Sequence, residues 1–424
     1  MAEASRGEAR VSYVTGLKCK ECGKAYPVEP RTLCDDDFAP LEVDYDYERL
    51  AGTLNRSRIE AGPHSLWRYR DLLPVEGPPV CGHRSGLTPL VRAHRLAAEL
   101  GVRELYIKDD SVNYPTLSYK DRVVAVALTK AVEFGFDTVG CASTGNLAHS
   151  VAAQAATAGL RSFVLVPHDL EEGKILGTLA FGTQLVEVQG NYDDVNRLCS
   201  QIADRYGWAL VNVNLRPYYT EGAKTHGFEI VEQLGWRLPR HTVLPVAGGT
   251  ILPKVWKAYR ELVALGLAED NSPSLYAAQA AGCSPVAEAI LKGQDSFEPQ
   301  KPKTIAKSIA IGDPADGHYV IRVVRESGGW AAVASDREIV DAIKLLARTE
   351  GIFTEPAGGT TLAAAIRLIQ QGRIPRDESI CVCITGNGLK TLEALHGQFD
   401  QGPPIRARLS DFERLLEELQ QLAA

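Results

Sequence analysis

Asn113-Tyr-Pro-Thr-Leu-Ser-Tyr-Lys-Asp-Arg122 is the stretch of this chain that says most about its fold and chemistry. Lys120 stands there among small and hydroxyl-bearing residues, and the apolar run over residues 123–130 predicts a buried helix. A lysine at the start of such a helix faces an apolar interior, and burial lowers the pKa of an amine. An amine with a lowered pKa condenses readily with an aldehyde. The alternative is a solvated lysine of which only the stem packs on apolar surface.

Composition restricts the class of protein. The 424 residues are enough for two or three domains, and the apolar and charged fractions, 45% and 23%, are those of an ordinary globular protein. A net charge of −7 and the lack of a dense Lys/Arg run argue against nucleic acid as a partner. No apolar run reaches membrane-spanning length, and the first residues lack the apolar core of a secretory signal. We therefore expect a cytoplasmic protein that contacts no membrane.

The cysteines fall into two groups. Six of the nine lie in apolar or unpaired contexts and predict free thiols in a reducing compartment, among them Cys141, Cys199, Cys283, Cys381 and Cys383. The first three belong to an N-terminal segment in which a Cys-x-x-Cys knuckle is followed by a third cysteine and, where a fourth is expected, an aspartate. Those four residues are Cys19, Cys22, Cys34 and Asp37. They predict either a zinc-ribbon-like metal site or a knuckle that folds without zinc.

From about residue 85 onward, strand-like and helix-like runs alternate, which predicts an α/β protein with open, mainly parallel sheets. The predicted strands cover residues 104–108, 138–142, 162–167, 184–188, 243–246, 275–279 and 380–385. The predicted helices cover residues 193–206, 251–265, 336–350 and 360–371, with a short amphipathic helix at 412–422. In such folds ligands bind where strand ends meet helix starts.

Three of these junctions carry polar or glycine-rich sequences. Ser143-Thr-Gly-Asn146 joins a strand to a helix and suits a carboxylate, although a plain helix cap is the alternative. Ala247-Gly-Gly-Thr-Ile251 suits a phosphate, although a tight turn is the alternative. Thr385 ends the last apolar strand and would point its hydroxyl to the strand end, although a plain strand-to-turn glycine sequence is the alternative. An amine, a carboxylate loop, a phosphate loop and a strand-end hydroxyl are together what pyridoxal 5′-phosphate requires.

Further motifs then identify a family. The chain resembles the threonine synthases, of the fold-type-II pyridoxal-phosphate enzymes, over residues 15 to 395. The resemblance is carried by the stretches already quoted together with Leu87-Thr-Pro-Leu90, Lys108-Asp-Asp110, Glu221-Gly-Ala-Lys-Thr225, Gln279-Ala-Ala-Gly-Cys-Ser-Pro285, Thr304-Ile-Ala-Lys-Ser308, Ile311-Gly-Asp-Pro314 and Ile384-Thr-Gly-Asn-Gly388. It implies two parallel-sheet domains behind the N-terminal segment. Their predicted bounds are 1–45 for the segment, 46–110 with 225–424 for the large domain and 111–224 for the small one.

The resemblance also implies a role for each site residue. Lys120 would form the Schiff base with pyridoxal 5′-phosphate, and Asn146 would bind the cofactor's phenolic oxygen. The loop Ala247, Gly248, Gly249, Thr250 and Ile251 would hold its phosphate, and Thr385 its pyridine nitrogen. Ser143, Thr144 and Gly145 would bind the α-carboxylate of O-phospho-L-homoserine. Arg216 and Lys224, with Arg122 a weaker candidate, would bind the substrate's phosphate. The reaction implied is hydrolytic conversion of O-phospho-L-homoserine to L-threonine and phosphate, by a homodimer.

Some residues depart from the family pattern and leave alternatives open. The loop at 247–251 lacks the Ser or Asn usual among its glycines, Tyr114 is bulky, and Tyr218 and Tyr219 stand where relatives place an arginine. A relative acting by elimination or replacement on another amino acid, such as a serine/threonine dehydratase, is therefore the second hypothesis. The regulated dehydratases add a C-terminal domain for which too little chain follows Thr385. A silent binding protein is the third hypothesis, and the intact Lys120 and residues 143–146 argue against it.

Overall fold

The computed structural model of the chain describes residues 12–143, 145–168, 172–190, 192–399 and 402–423. One compact unit ends at Thr391 and a second begins at Leu392. The strands are β1 Val14–Cys19, β2 Ala25–Tyr26, β3 Leu41–Tyr45, β4 Leu90–Arg92, β5 Glu104–Asp109, β6 Thr138–Ala142, β7 Arg161–Pro167, β8 Gln184–Val188, β9 Ala209–Leu210, β10 His241–Pro245, β11 Ser274–Ala280, β12 Ala331–Ala334 and β13 Ser379–Ile384.

The α-helices occupy most of the segments between these strands. They are α1 Tyr47–Ala51, α2 Arg56–Glu60, α3 His94–Leu100, α4 Lys120–Glu133, α5 Asn146–Ala158, α6 Glu172–Leu179, α7 Tyr192–Tyr206, α8 Arg216–Glu221, α9 Lys224–Gln233, α10 Ile251–Ala264, α11 Pro285–Leu291, α12 Gly317–Glu326, α13 Asp336–Glu350, α14 Pro356–Gln370 and α15 Leu409–Ala423. Short 3₁₀ helices lie at Leu66–Leu72, Asp110–Val112, Lys307–Ile309, Gly388–Lys390 and Leu392–Leu395. Within the described ranges, no helix is both long and apolar enough to cross a membrane.

The larger sheet has six strands in the order β12-β11-β10-β13-β5-β4. Neighbouring strands in this sheet run parallel, except that β4 runs antiparallel to β5 at one edge. Every residue of β10 and β13 is buried, as expected for parallel strands covered by helices on both faces. Because β13 lies between β10 and β5, the loops that follow these three strands emerge side by side.

The smaller sheet has four parallel strands in the order β8-β7-β6-β9, all of them between residues 138 and 210. Helix α5 follows β6 directly and contacts it. The prediction of two open, mainly parallel sheets is confirmed, while the predicted domain bounds stay a prediction.

The N-terminal segment forms a third sheet of three antiparallel strands in the order β2-β1-β3. Its inward side chains, such as Leu17 and Val43, belong to the same apolar core as those of the main body. The segment is therefore packed on the main body rather than tethered to it.

Candidate active site

The loop that carries Lys120 lies against the loop that follows β13. The amide of Tyr119 donates to the carbonyl of Thr385 (2.9 Å), and the amide of Asn387 donates to that of Leu117 (3.1 Å). The Lys390 ammonium donates to the Thr116 carbonyl (2.6 Å). These bonds set Lys120, the first residue of α4, beside the strand end at Thr385.

Lys120 itself is half-buried and donates a hydrogen bond to the Tyr219 hydroxyl (3.1 Å). The rest of its helix is apolar and buried from residue 123 to residue 128. The predicted buried helix after Lys120 is confirmed, because α4 starts at this residue and packs on α5.

The start of α5 reaches the same place through Glu355. The Asn146 amide nitrogen lies 3.1 and 3.0 Å from the two carboxylate oxygens of Glu355, which are hydrogen-bond acceptors. The Glu355 amide in turn donates to the carbonyl of Gly386 (3.0 Å). Burial raises the pKa of Glu355 above its ordinary value. Asn146, Lys120 and Thr385 are therefore gathered around one point, although they come from three junctions.

The loop at residues 247–251 leads from β10 into the fourteen-residue helix α10. Gly249 has φ of +91°, and a side chain there would meet the backbone of Asp316 at 2.8 Å, so only glycine fits. The Thr250 hydroxyl donates to the Asp316 carboxylate (3.1 Å). The free amide groups at the start of α10 make this loop suited to a phosphate.

Two glycines at these junctions border open space. A side chain added at Gly145 or at Gly248 would meet no atom within 4 Å. Bare backbone next to open space is what a bound cofactor requires for close approach. An amine at Lys120, a hydroxyl at Thr385, an amide at Asn146 and a phosphate loop at 247–251 form a donor set that fits pyridoxal 5′-phosphate.

The residues predicted to bind the substrate's carboxylate lie at the start of α5. The Gly145 amide donates to the Ser143 hydroxyl (3.4 Å), and Gly145 directly precedes the first residue of the helix. Thr144 lies outside the described residues. The helix start favours an anion through its free amide groups and its dipole.

The three cations considered for the substrate's phosphate have different environments. Arg216 is partly exposed and pairs with Asp316 (2.9 Å) in a cleft beside Thr250. Lys224, in contrast, is fully buried between Glu221 (2.7 Å) and Glu261 (2.9 Å). Arg122 is also fully buried, and it pairs with Asp110 and Glu229. The contacts of Lys224 and Arg122 argue against their predicted roles, because a buried, neutralised cation cannot reach a substrate.

The four residues of the N-terminal knuckle come together. The Cys19 sulfur lies 3.4 and 3.3 Å from the two oxygens of Asp37, and the Cys22 sulfur lies 3.7 Å from that of Cys34. One ligand atom from each of the four residues lies within 4.8 Å of the others. These spacings suit a tetrahedral zinc ion, whose bonds to sulfur are about 2.3 Å long.

Sequence reasoning missed Glu355 and Asp316 and gave Tyr219 no favourable role. Glu355 stands before Pro356-Ala-Gly-Gly359 at the start of α14, a signal that could have marked another helix start close to the site. Asp316 and Tyr219 gave no such signal, because their contacts depend on how α12 and α8 pack.

The fold and the crevice formed by Lys120, Asn146, Thr385 and the loop at 247–251 define a pyridoxal-phosphate dependent enzyme. A family model with that description matches residues 83–386. Threonine synthase from Methanocaldococcus jannaschii is 37% identical over 409 residues, which cover 95% of this chain and 99% of that protein. Threonine synthase from Methanosarcina acetivorans is 38% identical over 377 residues, covering 88% and 92%. The chain belongs to the pyridoxal-phosphate dependent enzyme family, and among its members it groups with the threonine synthases.

Solved structures extend the likeness at the level of fold alone. Diaminopropionate ammonia lyase from Escherichia coli superposes with a TM-score of 0.63 at 18% identity, covering 81% of this chain and 91% of that one. Maize serine racemase gives a TM-score of 0.60 at 20% identity, covering 80% and 94%.

Proposed function

We propose that this protein converts O-phospho-L-homoserine and water into L-threonine and phosphate. The observation that carries the proposal is the set of strand-end loops gathered around Lys120, in a chain that matches threonine synthases along nearly its full length. The bound cofactor supplies an electron sink for the bond to the substrate's α-carbon.

Four parts of the crevice bind the cofactor in this proposal. Lys120 would form the imine with its aldehyde, Asn146 would donate to its phenolic oxygen, and residues 247–251 would hold its phosphate. Thr385 meets its pyridine nitrogen with a neutral hydroxyl, which does not force a positive charge onto that nitrogen. A neutral partner suits elimination and addition better than transamination.

Lys120 would also act as the acid–base group of the site. Its free amine removes the proton from the substrate's α-carbon and moves protons at the β-carbon. The Tyr219 hydroxyl, 3.1 Å away, keeps the amine oriented towards the crevice. Phosphate would then leave from the γ-carbon, which takes up a proton to become the methyl group. Water would add at the β-carbon to give the hydroxyl of threonine, and the α-carbon would regain its proton from the Lys120 ammonium.

Binding groups hold the two ends of the substrate. Ser143, Gly145 and the start of α5 bind the α-carboxylate, and we keep Thr144 in this group as a proposal. Arg216 binds the phosphate, at the cost of its pair with Asp316. The partly exposed position of Arg216 supports this role over the buried Lys224.

A substrate panel with purified wild-type protein tests the proposal. O-phospho-L-homoserine is expected to yield threonine and phosphate in equal amounts. Formation of 2-oxobutyrate or of a substituted amino acid instead would support the elimination or replacement enzyme and overturn the proposal.

Replacing the lysine tests its role. Lys120→Ala is expected to lose the violet absorbance of the lysine-bound cofactor and to lower turnover by about 10³-fold or more, because both bond formation and proton transfer need this amine. Lys301→Ala, which changes an exposed lysine, is the control and should keep both. A Lys120→Ala protein with unchanged absorbance would contradict the assignment.

A further inference from the structure

The N-terminal segment and the main body enclose a cleft beside the phosphate loop. Its walls include Lys20 and Glu42 from the segment, and Arg216, Thr250 and Asp316 from the body. Lys20 directly follows Cys19 of the knuckle and is half-buried. No motif in the sequence marks this lysine as a site residue.

The charges in the cleft do not balance. Lys254, which also lines the cleft, is neutralised by Glu42 and Glu221. Arg216 faces the carboxylate of Asp316. The Lys20 ammonium lies 3.4 Å from the centre of the Tyr319 ring, and in the described part of the chain no carboxylate oxygen lies within 4.0 Å of it. Lys20 and Arg216 are therefore two cations that share one carboxylate, which favours the entry of an anion.

The cleft is connected to the reacting lysine by a short helix. Arg216 and Thr220 of α8 line the cleft, and Tyr219 of the same helix accepts the hydrogen bond of Lys120. Neighbouring residues of one short helix thus contact both the cleft and Lys120. In the proposed reaction, the anionic group at the end of the substrate remote from its α-carbon is the phosphate.

The knuckle fixes the backbone of Lys20. The Lys20 amide donates to the Pro40 carbonyl (3.1 Å), and the Gly23 amide donates to that of Cys19 (3.2 Å), which closes a tight turn. The ring of Tyr319 then holds the side chain over the cleft by a cation–π contact. The segment consequently presents a preorganised ammonium group.

We propose that Lys20 binds the phosphate of the substrate together with Arg216, so that the N-terminal segment forms part of the substrate site. This inference rests on the proposed function, because it takes the phosphate to be that of O-phospho-L-homoserine. The loop at 247–251 shares the cleft through Gly249 and Thr250, so the cofactor's phosphate is the other possible ligand of the same chemistry. The experiment has to separate the two.

Lys20→Met in the holoenzyme is the central variant, since methionine keeps the apolar stem on Tyr319 and removes the charge. Its KM for O-phospho-L-homoserine is expected to rise roughly ten- to a hundredfold, the effect of losing a hydrogen bond to a charged group. The cofactor absorbance and content should not change. Lys20→Arg should retain most of the affinity. Lys18→Met, at an exposed lysine of β1 two residues before Lys20, is the matched control and should behave as wild type.

Calorimetric titration with inorganic phosphate gives a reading independent of turnover. Wild type is expected to bind phosphate, and Lys20→Met or Lys20→Gln to bind it roughly ten- to a hundredfold more weakly. Unchanged KM and unchanged phosphate binding in these variants would overturn the inference. Loss of cofactor from them would also overturn it and assign Lys20 to the cofactor's phosphate. A wild type that binds phosphate through Lys20 but forms no threonine would overturn only the proposed function.

Discussion

Glu355 sets the orientation of Asn146 by accepting from its amide nitrogen with both carboxylate oxygens. The amide side chain of an asparagine has two N–H donors and one acceptor, and without a partner it rotates freely. Glu355 is 2% exposed, and its place over Gly386 leaves no room for a side chain at that glycine. At the scale of single residues, a buried carboxylate therefore positions the amide that we assign to the cofactor's phenolic oxygen.

Glu355→Ala tests this positioning role. We expect the cofactor to stay bound, its absorbance maximum to move and kcat to fall roughly ten- to a hundredfold, because a hydrogen bond to a charged group is lost. Glu355→Gln keeps one oxygen acceptor and should have a smaller effect. Glu326→Ala, at an exposed glutamate, is the control for spectrum and kcat. An unchanged spectrum and kcat in Glu355→Ala would leave Glu355 a merely structural residue.

At the scale of elements, the sequence pattern predicts the bounds of a strand or helix correctly where those bounds depend on local periodicity and capping residues. The predicted strands at 138–142 and 184–188 and the helix at 336–350 have the predicted bounds, because their apolar patterns end at turn or cap residues such as Ser335. The strands β2, β4, β9 and β12 were not predicted, since none of them is longer than four residues. The strands β1 and β3 of the N-terminal sheet were not predicted either, although they have six and five residues. Short strands take their structure from neighbours rather than from their own sequence.

Among the site residues too, some are placed by the local order of strands and helices and others by tertiary packing. Asn146 and the loop at 247–251 directly follow strands, β6 of the smaller sheet and β10 of the larger one, and Lys120 lies in the connection after β5. Their placement at the carboxyl ends of parallel strands could therefore be foreseen from the alternation of elements. Lys224 could not be judged from sequence, because its burial arises from the packing of α9 against α10, which brings it to Glu261. Lys20 was overlooked for the corresponding reason, since its cleft exists only where the N-terminal sheet meets the body.

The N-terminal knuckle gives a prediction at the scale of elements. We propose that Cys19, Cys22, Cys34 and Asp37 hold one zinc ion, and that Asp37→Asn weakens zinc binding by more than about tenfold, because a neutral amide is a poorer ligand than a carboxylate. Asp36→Asn makes the same charge change one residue away, at a side chain that pairs with Lys24, and should keep the metal. Metal content by mass spectrometry and competition with a chelator are the measurements. Equal zinc affinity in the two variants would rule out Asp37 as a ligand.

At the scale of the whole molecule, a buried group of charges joins the large sheet to the helices around it. Arg122 of α4 pairs with Asp110, which follows β5, and with Glu229 of α9, and Glu229 also pairs with Lys108 of β5 (2.7 Å). All four side chains have no exposed surface. Although burial favours the neutral acid, the charges of Arg122 and His226 hold the pKa of Asp110 well below its ordinary value of 3.8.

Asp110→Asn is therefore expected to lower the thermal midpoint at pH 7 strongly, by a stability loss of about 3 kcal/mol or more, because it leaves Arg122 undercompensated in the interior. Since the folded-state pKa of Asp110 is lowered, its stabilisation is complete above the ordinary pKa and is lost as the pH falls through the folded value. The midpoint difference between wild type and Asp110→Asn should thus be constant from pH 7 to about 5 and shrink as the pH drops below 3.8. Asp341→Asn removes an exposed carboxylate 3.9 Å from Arg337 and should change the midpoint little at any pH. If the difference in thermal midpoint between wild type and Asp110→Asn instead grew on acidification, burial rather than the guanidinium of Arg122 would control the ionisation of the Asp110 carboxyl group. The ion pair of Asp110 with Arg122 would then not be what holds α4 against the large sheet.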